Sequence, residues 1–129
     1  MITGCATCGS ALKKEYGAVL EGSPALAVWE GMKDKVYDIS DFLLRLGPAE
    51  YARELPWKVT YHDACHLVRG MGVASQPRDL IRAIPGVKLM EMQRPAVCCG
   101  CAGTFSATHY ALSQKILADK TSDILSTGA

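Results

Sequence analysis

The segment WKVTYHDAC, residues 57–65, decides the fold prediction because it reads as a strand that ends just before a cysteine. Residues 57–62 are rich in β-branched and aromatic side chains, which favours a short strand ending at Asp63. Pro77 then begins a predicted helix, and a Pro-Gly pair ends that helix before a second strand, VKLMEM, at 87–92. This order predicts two parallel strands joined by a right-handed crossover.

Helices are predicted on both sides of this unit. Residues 9–54 read as mainly helical, with Ser23 beginning one helix that runs to Val36 and Asp38 capping the next. A last helix is predicted over about 107–126. The apolar side chains that recur at helical spacing, and are expected to form the inward faces, are Ala25, Val28, Trp29, Met32, Val36, Ile39, Phe42, Leu43, Leu46, Leu80, Ile81, Ile84, Leu112, Ile116, Leu117 and Ile124. The predicted fold class is α/β, a parallel sheet with flanking helices that forms an incomplete Rossmann-like half repeat.

The six cysteines fall into groups, and each group is predicted to lie where a strand ends and a helix begins. They are Cys5 and Cys8, then Cys65, then Cys98, Cys99 and Cys101. In a reducing compartment, clustered thiols are more often metal ligands or redox centres than disulfides. Because the carboxyl ends of neighbouring parallel strands share one edge, we expect the groups to converge there. A helix start also favours the thiolate form, and Gly100 and Gly103 would let the backbone approach an inorganic centre closely.

Composition excludes several classes of function. The 14 basic and 13 acidic residues nearly cancel, and no basic stripe predicts binding to nucleic acid. No transmembrane segment and no signal peptide are predicted, so we expect a cytoplasmic protein. No Ser/His/Asp arrangement, P-loop or dinucleotide-binding glycine motif is present, and no catalytic residue is therefore predicted.

The cysteine spacing resembles that of the cysteine-rich CCG family. Cys65 is followed by 32 residues and then by Cys98-Cys99-Gly100, within the stretches VTYHDACHLVRGMGVASQPRDLIRAIPGVKLMEM, CCGCAGTFS and LSQKILADKTSDILSTGA. These stretches are similar to the second repeat of the glycolate oxidase iron–sulfur subunit and its lactate-utilisation relatives. The same module occurs in one of the subunits of heterodisulfide reductase. The front segment TGCATCGSALKKEYG resembles the closing CxxC of the first repeat.

The resemblance implies a division of the chain into three parts. Residues 1–20 would end a first CCG repeat, 21–56 would form a helical linker, and 57–129 would begin a second repeat. The closing CxxC of that second repeat would fall near position 135. We therefore expect the 129-residue chain to lack ligands and to be metal-free or to hold zinc.

The resemblance also implies a cofactor and partners. Carried over by position, the ligands of a [4Fe-4S] cluster in the intact parent are Cys65, Cys98 and Cys99 for the second repeat and Cys5 and Cys8 for the first. Cys101 is a further possible ligand, with a bystander role favoured. The implied activity is electron transfer from a flavin-containing subunit that oxidises glycolate or lactate to a quinone-type acceptor. Partners would be that flavin subunit and other iron–sulfur domains, at the inner face of the membrane, and an open sheet edge would suit a homodimer.

Alternatives remain open from the residues alone. Cys5, Cys8, Cys98 and Cys99 could supply the four thiolates of a structural zinc site, which would make the chain a structural or interaction module. A thiol–disulfide role for the first CxxC is less favoured, because no complete βαβ unit precedes it. His62 is expected to be a satisfied polar residue or a donor to sulfur. Solvated roles are expected for Arg69, Arg78 and Lys120.

Overall fold

Short parallel strand pairs organise the chain, which a computed structural model describes over residues 1–129. The chain forms two compact units. One comprises Met1–Glu50 and Ala64–Leu80, and the other comprises Tyr51–Asp63 and Ile81–Ala129. Each unit contains its own sheet of two parallel strands, so the α/β prediction is confirmed. These packing units are not the sequence repeats at 1–20, 21–56 and 57–129, and that division stays a prediction.

The first unit consists mainly of short helices around one strand pair. Its elements are β1 (Ile2–Thr3), α1 (Ala6–Ser10), a first π-helix (Ala11–Glu15), α2 (Tyr16–Val19), α3 (Ala25–Met32), a 3-10 turn (Lys33–Lys35), β2 (Tyr37–Asp38), α4 (Ile39–Arg45) and a second π-helix (His66–Met71). Strand β1 pairs in parallel with β2, with Ile2 opposite Tyr37. The core contains Val36, which is fully buried, together with Leu67, Met71 and Val73.

Two glycines allow the helices of this unit to pack closely. A Cβ at Gly9 would overlap the Met71 side chain, and a Cβ at Gly70 would overlap Ser10. Since Gly9 is on α1 and Gly70 is on the second π-helix, each glycine leaves room for a side chain of the other helix, Met71 over Gly9 and Ser10 over Gly70. This packing places Ser10 and Met71 among the buried residues of the unit.

The Asp38 cap predicted for the first unit is confirmed, but Pro24 rather than Ser23 is the N-cap residue of α3, and only part of the predicted inward face is buried. Ser23 Oγ accepts the Ala25 N–H at 3.2 Å, and Asp38 Oδ1 accepts the Ser40 N–H at 2.8 Å. The helix that begins near Ser23 ends at Met32 rather than at Val36, because the chain continues as a 3-10 turn and then enters β2. Four side chains predicted to be buried are exposed, since the small core does not extend to them: Val28, Ile39, Leu43 and Leu46.

The second unit confirms the predicted strand pair in a shorter form. Its elements are β3 (Lys58–Val59), the last turn of α5 (Gln76–Ala83, which begins in the first unit), β4 (Lys88–Leu89), α6 (Phe105–Thr108) and α7 (Tyr110–Ser126). Strands β3 and β4 are parallel, with Lys58 opposite Lys88. The predicted helix over 107–126 is instead two helices, because His109 has the non-helical angles φ −128° and ψ 46°.

Helix α7 buries polar rather than apolar side chains. Its buried residues are Ser113, Lys120 and Asp123, while Ile116 and Ile124 are half-buried. Leu112 and Leu117 are exposed, so their predicted burial is wrong. The reason is that the face turned inward makes hydrogen bonds to the backbone of the segment between β4 and α6.

Candidate metal centre

All six cysteines are free thiols, and their exposure suits a metal site better than a packing role. Cys99 is half-buried and the other five are exposed. A free cysteine that serves as a small hydrophobic side chain is usually buried. Their positions therefore favour ligand or redox chemistry over packing.

Cys5 and Cys8 form a hydrogen-bonded pair at the start of α1. Cys5 is the N-cap residue, and its Sγ accepts the Cys8 N–H at 3.5 Å. The backbone N–H of Cys8 and its side chain both donate to Cys5, and together they lower the pKa of the Cys5 thiol. Because the Cys8 thiol donates to Cys5 and lies beside its negative charge, the pKa of Cys8 is raised. Of the two thiols, that of Cys5 is therefore the one that ionises more readily.

Cys65 lies directly before the second π-helix, in a hollow of about 380 Å³ in the first unit. The lining side chains are of mixed charge: Ser10, Lys14, Glu15, Cys65, His66, Arg69 and the backbone of Gly70. Lys14 Nζ donates to the Arg69 carbonyl at 2.9 Å, which joins the first π-helix to the second. This position confirms that Cys65 follows the first predicted strand and precedes a helix.

Cys98 and Cys99 lie in an irregular segment, not at a helix start as predicted. The next helix, α6, begins at Phe105. The Gly100 N–H donates to Cys98 Sγ at 3.3 Å. This hydrogen bond fixes the position of the Cys98 sulfur relative to the turn at Gly100.

Close packing against α7 requires a glycine at position 100. The predicted role of Gly100 was instead to let the backbone approach an inorganic centre. Its φ is +84°, and a Cβ there would lie 2.7 Å from the Ser113 carbonyl oxygen. The Ser113 hydroxyl donates to the Gly100 carbonyl at 3.0 Å. Gly103 also has a positive φ, but nothing lies within 4 Å of its Cβ position. The close backbone approach is therefore made to the helix, at Gly100 only.

The beginning of the same segment is bonded to the other end of α7. Lys120 is only 2% exposed, so its predicted solvated role is wrong. Its Nζ donates to the carbonyl oxygens of Arg94 at 2.7 Å and Pro95 at 3.1 Å. The Asp123 carboxylate accepts the N–H groups of Gln93 and Arg94, each at 3.0 Å.

His62 contacts the same backbone, as predicted for a satisfied polar residue. Its Nδ1 lies 3.1 Å from the Pro95 carbonyl oxygen, which also accepts the Asp63 N–H at 3.1 Å. Burial and the nearby Lys120 charge lower the pKa of His62, and the Pro95 and Asp63 oxygens only partly offset this. The neutral imidazole is therefore favoured in the folded chain.

Sequence reasoning missed the three polar residues of α7 that hold the cysteine segment. Lys120 and Asp123 follow Ser113 by seven and ten residues, a spacing that places all three on one face of a helix. That spacing was the available signal. It was hidden by Ile116, Leu117 and Ile124 on the same helix, which suggested an apolar inward face.

The structure brings the predicted ligands together as neighbours in two places. Cys5 and Cys8 are paired in the first unit, and Cys98 and Cys99 are adjacent in the second. Within neither unit do three or more His, Cys, Asp or Glu side chains converge on one point. The convergence of Cys65 with Cys98 and Cys99 involves both units and stays a prediction. As a donor set, exposed thiols with N–H bonds to sulfur fit either an iron–sulfur cluster or zinc.

Curated relatives show similarity over most of this chain. It is 39% identical over 103 residues to a subunit of the fumarate reductase (CoM/CoB) of Methanothermobacter marburgensis, which covers 80% of this chain and 19% of that protein. It is 34% identical over 124 residues to lactate utilization protein A of Halalkalibacterium halodurans, covering 92% and 50%. It is 33% identical over 135 aligned positions to the probable glycolate oxidase iron-sulfur subunit of Bacillus subtilis, covering 100% and 30%.

These relatives are longer than the chain, which spans half of their length or less. No solved structure matches it. The family model described as the CCG cysteine-rich domain matches residues 59–129, a region that contains Cys65, Cys98, Cys99 and the whole of α7. The chain belongs to the CCG cysteine-rich domain family.

Proposed function

We propose that this chain is part of an iron–sulfur electron-transfer subunit of an oxidoreductase that acts on a 2-hydroxy acid such as glycolate or lactate. The observation that carries the proposal is the Cys98-Cys99 pair. It lies in the region matched by the CCG family, in a segment with one sulfur already bonded to a backbone N–H. Relatives whose names include a glycolate oxidase iron-sulfur subunit and lactate utilization proteins support this direction.

The proposed ligands are cysteine thiolates from the beginning, the middle and the last third of the chain. Cys65, Cys98 and Cys99 would serve one centre, and Cys5 and Cys8 would serve another, with Cys101 as a bystander. A [4Fe-4S] cluster accepts and releases single electrons when bound. The residues of this chain would hold the sulfurs in place, and the Cys8 and Gly100 N–H groups would stabilise their negative charge.

The proposal extends to partners. Electrons would come from a flavin-containing subunit and pass to a quinone-type acceptor. Other iron–sulfur domains of the parent protein would be further partners. None of the helices combines the length and the apolar character that crossing a bilayer needs. We propose that any association with the inner face of the membrane is made through partner subunits. Each sheet has only two strands and therefore two unpaired edges, which supports the homodimer as a further proposal.

The test is metal analysis of the intact subunit to which we propose this chain belongs, purified anaerobically from the cells that make it naturally. We expect iron and acid-labile sulfide in equal amounts, with a paramagnetic signal that changes when glycolate or lactate is added to the purified complex. Stoichiometric zinc without sulfide would contradict the iron–sulfur proposal. Iron and sulfide with no response to either acid would contradict the choice of substrate but leave the cofactor in place.

A zinc-stabilised structural module is the second candidate. It is favoured by the Cys5–Cys8 pair, because a CxxC with an N–H bond to its first sulfur is also a typical half of a structural zinc site. The same metal analysis separates the two candidates. Zinc bound here would resist reduction and would be removed by a chelator, with loss of folding stability.

A further inference from the structure

We propose that Lys120 is a positioning residue whose buried ammonium group holds the Cys98-Cys99 segment in its metal-binding conformation. The inference rests on the proposed function in one respect, that Cys98 and Cys99 are metal ligands. It adds a residue that is not itself a ligand, and it predicts an effect in the metal-free protein. It is carried by the contacts of Lys120 and by the place of those contacts in the chain.

The Lys120 ammonium group is buried and donates hydrogen bonds to defined acceptors. Burying a cation is costly unless it is paired and hydrogen-bonded, and Lys120 is 2% exposed. Its Nζ donates to the Arg94 and Pro95 carbonyl oxygens and lies 3.6 Å from the Met92 sulfur. Asp123 supplies the countercharge at 3.9 Å. All three donor positions of the ammonium group thus point at the segment that leads to Cys98.

The Pro95 carbonyl oxygen connects three parts of the second unit. It accepts from Lys120 on α7 and from the Asp63 N–H, and His62 Nδ1 lies 3.1 Å away. It therefore joins the backbone that follows β3, the backbone that follows β4, and α7. Cys98 follows Pro95 by three residues.

Both ends of the cysteine segment are fixed, while its middle is accessible. Lys120 and Asp123 hold residues 93–95, and the Ser113 hydroxyl holds the Gly100 carbonyl. Cys98 lies between these points and is exposed. Ligands held in place before metal arrives have already lost conformational entropy, so they bind more tightly. Lys120 supplies the charged donor for this arrangement, which an apolar side chain of the same length would not.

The test compares Lys120→Met with Lys115→Met in the full chain, metal-free and reduced. Both replace a lysine of α7 by an unbranched apolar side chain, but Lys115 is exposed. Alkylation of each cysteine is followed by mass spectrometry at increasing concentrations of Zn²⁺, and amide hydrogen exchange is measured over 93–100. Cys5 and Cys8 serve as the internal reference, because they lie in the other unit.

We expect Lys120→Met to raise the Zn²⁺ concentration that protects Cys98 and Cys99 by about tenfold, the effect of losing one charged hydrogen bond. Protection of Cys5 and Cys8 should stay unchanged, exchange over 93–97 should quicken, and Lys115→Met should behave as the parent chain. A purely structural role would instead raise alkylation at every cysteine without shifting the zinc dependence of one pair. If Lys120→Met does not fold, Asp123→Asn removes one of the two carboxylate oxygens that accept backbone N–H groups and should shift protection the same way.

Equal zinc protection of Cys98 and Cys99 in the folded Lys120→Met variant and the parent would overturn the inference. So would an absence of zinc protection at these two cysteines in the parent chain. Neither result depends on iron or sulfide in the native protein. Failure of the positioning role and failure of the iron–sulfur proposal are therefore distinguishable.

Discussion

The two units carry their cysteines in different ways. In the first unit, Cys5 and Cys65 each stand at the beginning of a short helix, and the helices are packed through Gly9 and Gly70. In the second unit, Cys98 and Cys99 belong to no helix or strand, and buried side chains of α7 hold the segment around them. Thiols can thus be positioned either by helix starts or by buried polar side chains that bond irregular backbone, here Ser113, Lys120 and Asp123, which we call the polar clamp.

The two ways of positioning cysteines should respond differently to single substitutions. Packing of a neighbouring side chain over a glycine depends on the absence of a Cβ there, whereas the polar clamp depends on charged and polar atoms in a nearly buried position. Loss of one partner from a buried charged pair costs more than loss of an exposed pair. The second unit should therefore show the larger effects of single polar substitutions.

The largest effect is expected for Asp123→Ala. It removes the acceptor of two backbone N–H groups and the countercharge of a buried lysine. We expect the free energy of unfolding to fall by about 3 kcal/mol, measured by urea denaturation. The control is Asp119→Ala, an exposed position on the same helix, which should change it by less than about 0.5 kcal/mol. Equal effects of the two variants would show that the clamp contributes nothing.

Next is Gly100→Ala, which tests the close approach of the cysteine segment to α7. The added Cβ meets the Ser113 carbonyl oxygen and a φ of +84° disfavours any other residue, so we expect a loss of about 2 kcal/mol in unfolding free energy. Gly103→Ala shares the positive φ without the clash and should lose only about 1 kcal/mol. If the Gly103 variant were as unstable as the Gly100 variant, the positive φ alone would explain both losses, and the contact with Ser113 would contribute nothing.

A smaller effect is expected in the first unit from Asp38→Ala. The substitution removes the cap that accepts the Ser40 N–H at the start of α4, which should cost about 1 kcal/mol. Hydrogen exchange should show faster opening of α4, with the amides that join β3 and β4 unaffected. Asp34→Ala, at an exposed position before β2, provides the comparison. Unchanged exchange in α4 would contradict the capping role.

The smallest effect is a dependence of stability on pH through His62. The folded pKa is lowered, mainly by burial and then by Lys120, so the unfolded chain binds more protons as pH falls through the unfolded value of about 6.5. The contribution of His62 to stability is full above that value and is lost as pH falls below it. His62→Gln should reduce the change in the urea unfolding midpoint between pH 7 and pH 5. His66→Gln, at an exposed position, is the matched control.

The features that could be predicted from the sequence are those that depend on local residue patterns, namely the two strands, their pairing and the cysteine spacing. The β-branched run at 57–62 indicated a strand, and its parallel pairing with the run at 87–92 followed from the helix between them. The spacing of Cys65, Cys98 and Cys99 indicated the family, which the comparison confirms. In each case neighbouring residues along the chain carry the information.

The clamp could not be predicted because its partners are backbone groups far along the chain. Lys120 donates to carbonyl oxygens 25 and 26 residues away, and nothing in the side chains of Arg94 or Pro95 marks those oxygens as acceptors. A lysine on a helix is ordinarily solvated, so the general expectation pointed the wrong way. Only the structure shows which face of α7 is buried.

The central claim is that Cys98 and Cys99 are the metal-binding pair of this segment and that Cys101 is not a ligand. The most direct measurement is the iron and sulfide content, with the paramagnetic spectrum, of Cys99→Ser and Cys101→Ser proteins purified anaerobically from the natural host. We predict that Cys99→Ser loses the iron–sulfur signal and that Cys101→Ser retains the iron, the sulfide and the spectrum of the parent. A Cys99→Ser protein with the full iron content and an unchanged spectrum would contradict the claim.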